Sequence, residues 1–183
     1  MVSVTTLPFS RSLNRADLEM MPEDGHRYEL IDGALIVTPA PAMRHQRAVL
    51  ELAVLLREQC PAHLEVFIAP FDVVLSDDTV IQPDVLVARR SDLSERDLSG
   101  RPELAVEVLS ASTRRIDLLL KCSRLETAGC PAYWVIDPDV PSLIAWELRD
   151  GAYAQVAMVT GDETYAAQRP YPLAVSPAAL VVA

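Results

Sequence analysis

Apolar and polar positions along the chain alternate between two periods, and the switches between them mark out elements. The stretch "ADLEMMPEDG" reads as a short helix ending near Pro22. "HRYELIDGALIVTP" then gives two extended runs around Asp32-Gly33, a dipeptide that favours a tight hairpin. From Met43 to Cys60 the pattern turns helical, with His45, Val49, Leu52, Ala53 and Leu56 on one face. Three extended segments follow, "LEVFIAPFDVVLS", "VIQPDVLVAR" and "ELAVEVLS", with the polar loop "RSDLSERDLSGRP" between the last two. A helix is expected from Ser112 to Ala128, with Ser or Thr as its cap and Gly129 as its stop. "AYWVIDP", "SLIAWEL" and "AYAQVAMV" supply further strands, the last two joined by an "RDG" hairpin, and the Pro-rich tail after Ala167 reads as irregular cover.

This order predicts a fold of the α/β or mixed α+β class with a mixed central sheet flanked by helices. No repeat, low-complexity tract or linker divides the chain, so residues 1–183 are expected to form a single domain, with 1–16 an irregular lead-in.

Composition narrows this picture. With 183 residues, half of them hydrophobic, the chain is long enough for one sizeable core. It contains no run of roughly 20 apolar residues, and its start lacks a basic stretch followed by an apolar one, so a cytoplasmic protein without a leader is expected. Cys60, Cys122 and Cys130 are odd in number and lack CxxC spacing, which points to buried thiols rather than a disulfide framework or zinc site. The formal net charge of −10 argues against a broad basic surface for nucleic acid. Carboxylates gathered in a cleft and offset by a divalent cation remain compatible with it. Of sixteen basic residues, Lys121 is the sole lysine.

Candidate chemistry begins with Glu107, which interrupts the apolar run of "ELAVEVLS". Alternation puts Leu104, Val106 and Val108 on one face and Glu103, Ala105, Glu107 and Leu109 on the other. A carboxylate withdrawn from water needs a cation, a metal or a proton. Strand, helix and strand here form a β-α-β unit whose helix runs back along its first strand. From Glu107 to the strand end is roughly 10 Å at about 3.3 Å per residue. From Ser112 to Lys121 is roughly 13 Å at about 1.5 Å per residue, in the opposite direction. Lys121 therefore returns to the level of Glu107, and Asp117, four residues earlier, shares its helix face. The ordinary reading of Asp117 and Lys121 is an exposed i,i+4 pair worth about 0.3–0.5 kcal/mol. Asp84, after Pro83, reads either as a turn residue at a strand start or as a second carboxylate that converges with Glu107 on one divalent cation. Mg²⁺ commonly accepts two carboxylates plus waters and a substrate phosphate.

Taken together, "RYELIDGALIVTPAPAMRHQ", "QPDVLV", "ELAVEVLS", "DLLLK" and "AGCPAYWVIDP" resemble the Uma-type family of putative restriction endonucleases, which falls in the PD-(D/E)XK nuclease-like superfamily. The resemblance runs from Asp17 to Pro177. It implies a restriction-endonuclease-like fold, with Asp84 and Glu107 as metal ligands and Lys121, Asp117, Glu29 and His45 completing the site. Glu29 reads equally well as a polar residue on a hairpin, and His45 as a helix cap or satisfied core histidine. Leu109 stands where the superfamily motif has lysine, the family lysine falling instead on the helix. Leu125 and Ala132 stand where the family often has tyrosine and glutamate. The implied activity is a Mg²⁺- or Mn²⁺-dependent endonuclease: metal-activated water hydrolyses a phosphodiester, with Lys121 positioning the nucleophile or stabilising charge and Arg114 and Arg115 reaching phosphates. The expected partner is nucleic acid, specifically DNA, and the expected assembly a homodimer. The rival is a nuclease-like scaffold that binds nucleic acid or protein, its carboxylates closed into a salt-bridge network. A hydrolase of small phosphoesters fits the acidic charge but has no motif.

Overall fold

The computed structural model describes residues 11–110 and 114–181. After a single helical turn, α1 (Arg15–Leu18), the chain forms β1 (Arg27–Ile31) and β2 (Ala34–Thr38), then the long helix α2 (Met43–Gln59). Next come β3 (Leu64–Ile68), β4 (Asp72–Ser76), β5 (Thr79–Ile81), β6 (Val85–Arg89), β7 (Asp97–Ser99) and β8 (Leu104–Val108). Helix α3 (Cys122–Thr127) leads into β9 (Ala132–Asp137), β10 (Ser142–Arg149) and β11 (Ala152–Thr160), and β12 (Tyr165–Ala167) and β13 (Leu173–Val175) close the chain.

The strands make two main sheets where one was expected. A six-stranded sheet has the order β11-β10-β9-β8-β6-β3, and a five-stranded sheet the order β2-β1-β5-β4-β7. The segments "LEVFIAPFDVVLS" and "VIQPDVLVAR" are each two strands that cross from one sheet to the other. β3 leaves the six-stranded sheet at Ala69-Pro70 and continues as β4, while β5 passes through Gln82-Pro83-Asp84 into β6. Proline has no N–H to give a ladder, so pairing breaks at both crossings. The polar loop also hides β7, which pairs in parallel with β4.

Glycine chemistry fixes the hairpins. Asp32 and Gly33 have φ of 53° and 75°, and Asp150 and Gly151 have 52° and 83°, so both two-residue turns take the doubly left-handed form that matches strand twist. Both "DG" hairpins lie where the sequence puts them.

Three layers result. Helix α2 and the C-terminal tail cover one face of the six-stranded sheet, burying Leu52, Leu56, Val106, Trp134, Val175 and Leu180 in one cluster. The tail is more regular than expected, because β12 and β13 pair, and Tyr171 Oη donates to the Leu56 carbonyl at 2.6 Å. On the opposite face a second cluster, including Ile31, Leu86, Ala105, Leu109 and Leu125, lies against the five-stranded sheet and the crossover helix. The alternation in β8 therefore points as expected, and Glu107 faces this second layer.

The crossover departs from a regular α-helix. Its expected cap falls on residues 111–113, outside the described residues. Ile116–Lys121 forms a π-helical turn before α3 begins. Asp117 and Lys121 are consequently not one α-helical turn apart, although they still share the inward side, both being buried. A single π turn inside a helix commonly marks a functional position. Gly129, at φ 79°, ends α3 as expected.

The β1–β2 hairpin carries part of the site, and its turn is tightly enclosed: a Cβ on Gly33 would lie 2.6 Å from Ser12 Cβ, whereas one on Gly151 would meet nothing within 4 Å. Both substitutions to alanine incur left-handed backbone strain of about 1–3 kcal/mol. Gly33→Ala is expected to destabilise by at least about 1 kcal/mol more than Gly151→Ala in urea denaturation; equal losses would show that the segment around Ser12 yields freely.

Candidate functional site

The site lies where the two sheets and the crossover helix meet. β6 and β8 are antiparallel with Val85 opposite Val106, so continuing that register sets Asp84 beside Glu107. The contact across the strands confirms it: Val108 N–H donates to Asp84 Oδ2 at 2.8 Å. From the five-stranded sheet, Glu29 on β1 shares a face with Ile31 and projects into the same layer.

Lys121 is the hub. Its Nζ is 2.8 Å from Glu29 Oε1, 3.1 Å from Glu107 Oε1 and 3.6 Å from Asp117 Oδ1, and the side chain is 1% exposed. Glu29 Oε1 also accepts from Gln82 N–H at 2.7 Å, which ties the β5–β6 crossing to β1. Burial works against the ammonium, yet Glu107, Glu29 and Asp117 outweigh it and hold the Lys121 pKa above its ordinary value. Tyr133, on β9, donates its hydroxyl to the Asp117 carbonyl at 2.8 Å and anchors the π turn.

Asp84 has a separate set of partners. His45 Nε2, from the first turn of α2, is 3.1 Å from Oδ2, and Arg27 Nη1 donates to Oδ1 at 2.7 Å. Burial opposes ionisation of Asp84, but the His45 hydrogen bond and the Arg27 charge hold its pKa well below the usual carboxylate range. Glu107 behaves in the opposite way. Burial pushes its pKa well above 4.5, and although Lys121 pulls it down, Asp117, Asp84 and Glu29 add to the rise. Its Oε2 has no hydrogen-bond partner among the described residues.

Glu29, Asp84, Glu107, Asp117, Lys121 and His45 are thus brought together. Arg27 and Tyr133 are the members that sequence reasoning passed over. Arg27 was detectable, since it stands two residues before Glu29 in a strand and so shares its face. Tyr133 gives no signal apart from the fold. Arg114 has another occupation, a 2.6 Å ion pair with Asp137 on β9, and Arg115 is exposed. Leu109, Leu125 and Ala132 are buried in apolar surroundings.

A groove of about 1070 Å³ opens onto one side of the cluster. Arg27, His45, Gln82 and Asp84 contribute to its lining, with Pro39 and Pro70 on its walls. Glu107 and Lys121 do not line it.

Residues 15–180 match the model of the Uma2 family, described as "Putative restriction endonuclease". The chain belongs to the Uma2 family. A solved structure with the same fold is that of a putative nuclease belonging to DUF820 from Anabaena variabilis ATCC 29413. The match has a TM-score of 0.70 and 18% identity, and covers 93% of this chain and 99% of that one. No curated protein matches. The Uma2 chain thus has a restriction-endonuclease-like fold, and none of its described helices is long and apolar enough to cross a membrane.

The two perturbed carboxylates give opposite pH signatures. The folded chain holds the Glu107 proton more tightly than the unfolded chain, so the stability Glu107 contributes is full below pH 4.5 and is lost as pH rises through the raised folded value. For Asp84, held below 3.8, the contribution is full above that pH and is lost on acidification. Urea titrations across pH should show Glu107→Gln gaining stability relative to the native chain toward alkaline pH. Asp84→Asn should cost most at neutral pH and progressively less below pH 3.8; parallel profiles would contradict both assignments.

Proposed function

We propose that this Uma2 protein is a metal-dependent endonuclease that hydrolyses phosphodiester bonds of nucleic acid, DNA in the first instance. The observation that carries the reading is a charge imbalance at a groove. Four buried carboxylates, Glu29, Asp84, Glu107 and Asp117, gather around only two permanent cations, Lys121 and Arg27, with His45 alongside. A buried excess of negative charge calls for a proton or a further cation, and the groove reaches Asp84.

The residues suit a hard divalent cation in charge and donor type. Among the described residues no three His, Cys, Asp or Glu side chains converge as a ready-made cage. Mg²⁺ does not require one, because it keeps several waters and commonly takes one or two carboxylates with substrate phosphate. Asp84 and Glu107 are the ligands we assign: Asp84 immediately precedes β6, Glu107 lies on the neighbouring β8, and Glu107 Oε2 has no hydrogen-bond partner among the described residues. Held there, Mg²⁺ or Mn²⁺ would lower the pKa of a bound water and polarise the phosphate.

The chain's own residues do the rest. Lys121 holds Glu107 and Glu29 at fixed spacing and supplies positive charge behind them. Asp117 holds Lys121, with its own carbonyl held by Tyr133. His45 and the Val108 N–H fix one oxygen of Asp84. Because Lys121 is sealed behind the carboxylates, it acts through them and not by touching a nucleophile.

One observation favours the rival reading of a non-catalytic nuclease-like scaffold: Arg27 pairs with Asp84 at 2.7 Å, so both carboxylates of the assigned pair already have a cation. Plasmid and single-stranded DNA cleavage with Mg²⁺ or Mn²⁺ separates the two. The nuclease reading expects cutting that stops on chelation and falls at least about a hundredfold in Asp84→Asn and Glu107→Gln. Cutting equal in native and variant protein, or none at all with calorimetry showing no metal binding, would leave the scaffold.

A further inference from the structure

Arg27 and Lys121 are both cations of one cluster, but they stand in different places. Lys121 is 1% exposed and surrounded by carboxylates, whereas the Arg27 side chain is 21% exposed and lines the groove. Its Nη1 donates to Asp84 Oδ1 at 2.7 Å and to the Gln82 carbonyl at 3.4 Å, while its Nε donates to Thr38 Oγ1 at 3.2 Å and is 3.7 Å from Glu29 Oε2. The guanidinium thus bridges carboxylates of both sheets at the mouth of the site.

The two oxygens of Asp84 are unequal. Oδ2 accepts from the backbone N–H of Val108, fixed inside a sheet, and faces His45. Oδ1 has a side chain as its partner, and that side chain is Arg27. A cation shared by Asp84 and Glu107 therefore meets the guanidinium as its competitor at Oδ1. Arg27 has somewhere else to go: guanidinium pairs with phosphate through parallel N–H donors, and the groove it lines is where the proposed function puts a strand.

We propose that Arg27 is an exchangeable counter-ion, which neutralises Asp84 in the absence of ligand and transfers to a backbone phosphate of a nucleic acid entering the groove. Metal binding at Asp84 and phosphate binding in the groove are then positively coupled: the phosphate draws the guanidinium off Asp84, and the metal frees it for the phosphate. This rests on the metal reading of Asp84 and Glu107 above. It makes Arg27 a positioning residue that admits the metal when substrate is present.

The test is calorimetric titration of Mn²⁺ into the native chain, Arg27→Met and Arg27→Lys, each alone and with a short single-stranded phosphorothioate DNA. Without DNA, Arg27→Met should bind Mn²⁺ about tenfold more tightly than the native chain, within the usual range of coupling between sites. DNA should tighten Mn²⁺ binding in Arg27→Met only by the direct contact of phosphate with the metal, and in the native chain by about tenfold more than that. If Arg27→Met does not fold, Arg27→Lys, which keeps the charge but loses the fork, should still bind Mn²⁺ several-fold more tightly than the native chain. Equal Mn²⁺ affinity in native and variant chains, or equal tightening by DNA in both, would overturn the role of Arg27 while leaving the metal site standing. No Mn²⁺ binding by any of the three, with or without DNA, would overturn the metal reading and this inference together.

Discussion

A single buried ammonium holds the second layer of this protein together. Lys121 reaches from the crossover helix to Glu29 on one sheet and Glu107 on the other, so three elements meet at one nitrogen. Removing such a cation leaves carboxylates buried without compensation, a loss of about 3–5 kcal/mol in comparable pairs. Replacing the whole cluster by apolar side chains is often neutral or stabilising elsewhere. Stability alone is therefore a weak reason for a chain to keep four acids here, and the groove beside them supplies a better one.

The crossings between sheets explain why Asp84, alone of the four acids, lines the groove. β3 and β5 both abandon one sheet for the other at neighbouring places, and Ala69 N–H donates to the Asp84 carbonyl at 3.2 Å across them. Where strands part, the sheets no longer pack face to face, and residues at the break can border the groove. Asp84 is placed at such a break, 3% exposed yet part of the groove lining. Glu107, one strand over and in mid-sheet, is fully sealed. That difference in access accompanies the opposite displacement of their pKa values: Asp84 has Arg27 and His45 at its side, while Glu107 shares one lysine with two other acids.

Much of this was legible in the sequence because local chemistry and global fold agree there. The "DG" turns need positive φ at two successive residues, a requirement few other dipeptides meet. Glu107 stood out because a charge inside an apolar run must be explained, and counting rise along the β-α-β unit led to Lys121. The estimate reached the right residue although the helix is locally π, because β8 and the crossover still run side by side in opposite directions. The two-sheet division was not legible. "LEVFIAPFDVVLS" and "VIQPDVLVAR" keep strand-like composition through their breaks, and which sheet each half joins depends on partners distant in the chain. Alternation could have put Arg27 on the face of Glu29, but its pairing with Asp84 could not be read, because that requires knowing that the hairpin lies over the crossing before β6.

The net charge of −10 takes on a different meaning once the charges are placed. A protein that grips a polyanion through a broad basic face derives affinity from many phosphate contacts and counterion release. Here the permanent positive charge on the groove beside Asp84 is Arg27, and it is already committed to a carboxylate. On the proposed reading, long-range attraction for a duplex is correspondingly small, and recognition comes from the few atoms at the mouth of the site. A phosphate entering there gains Arg27 only if Asp84 gives it up, and Asp84 gives it up at least cost if another cation takes its place. On the proposed reading, the acidity that weakens general attraction for nucleic acid also makes productive binding depend on metal and phosphate arriving together.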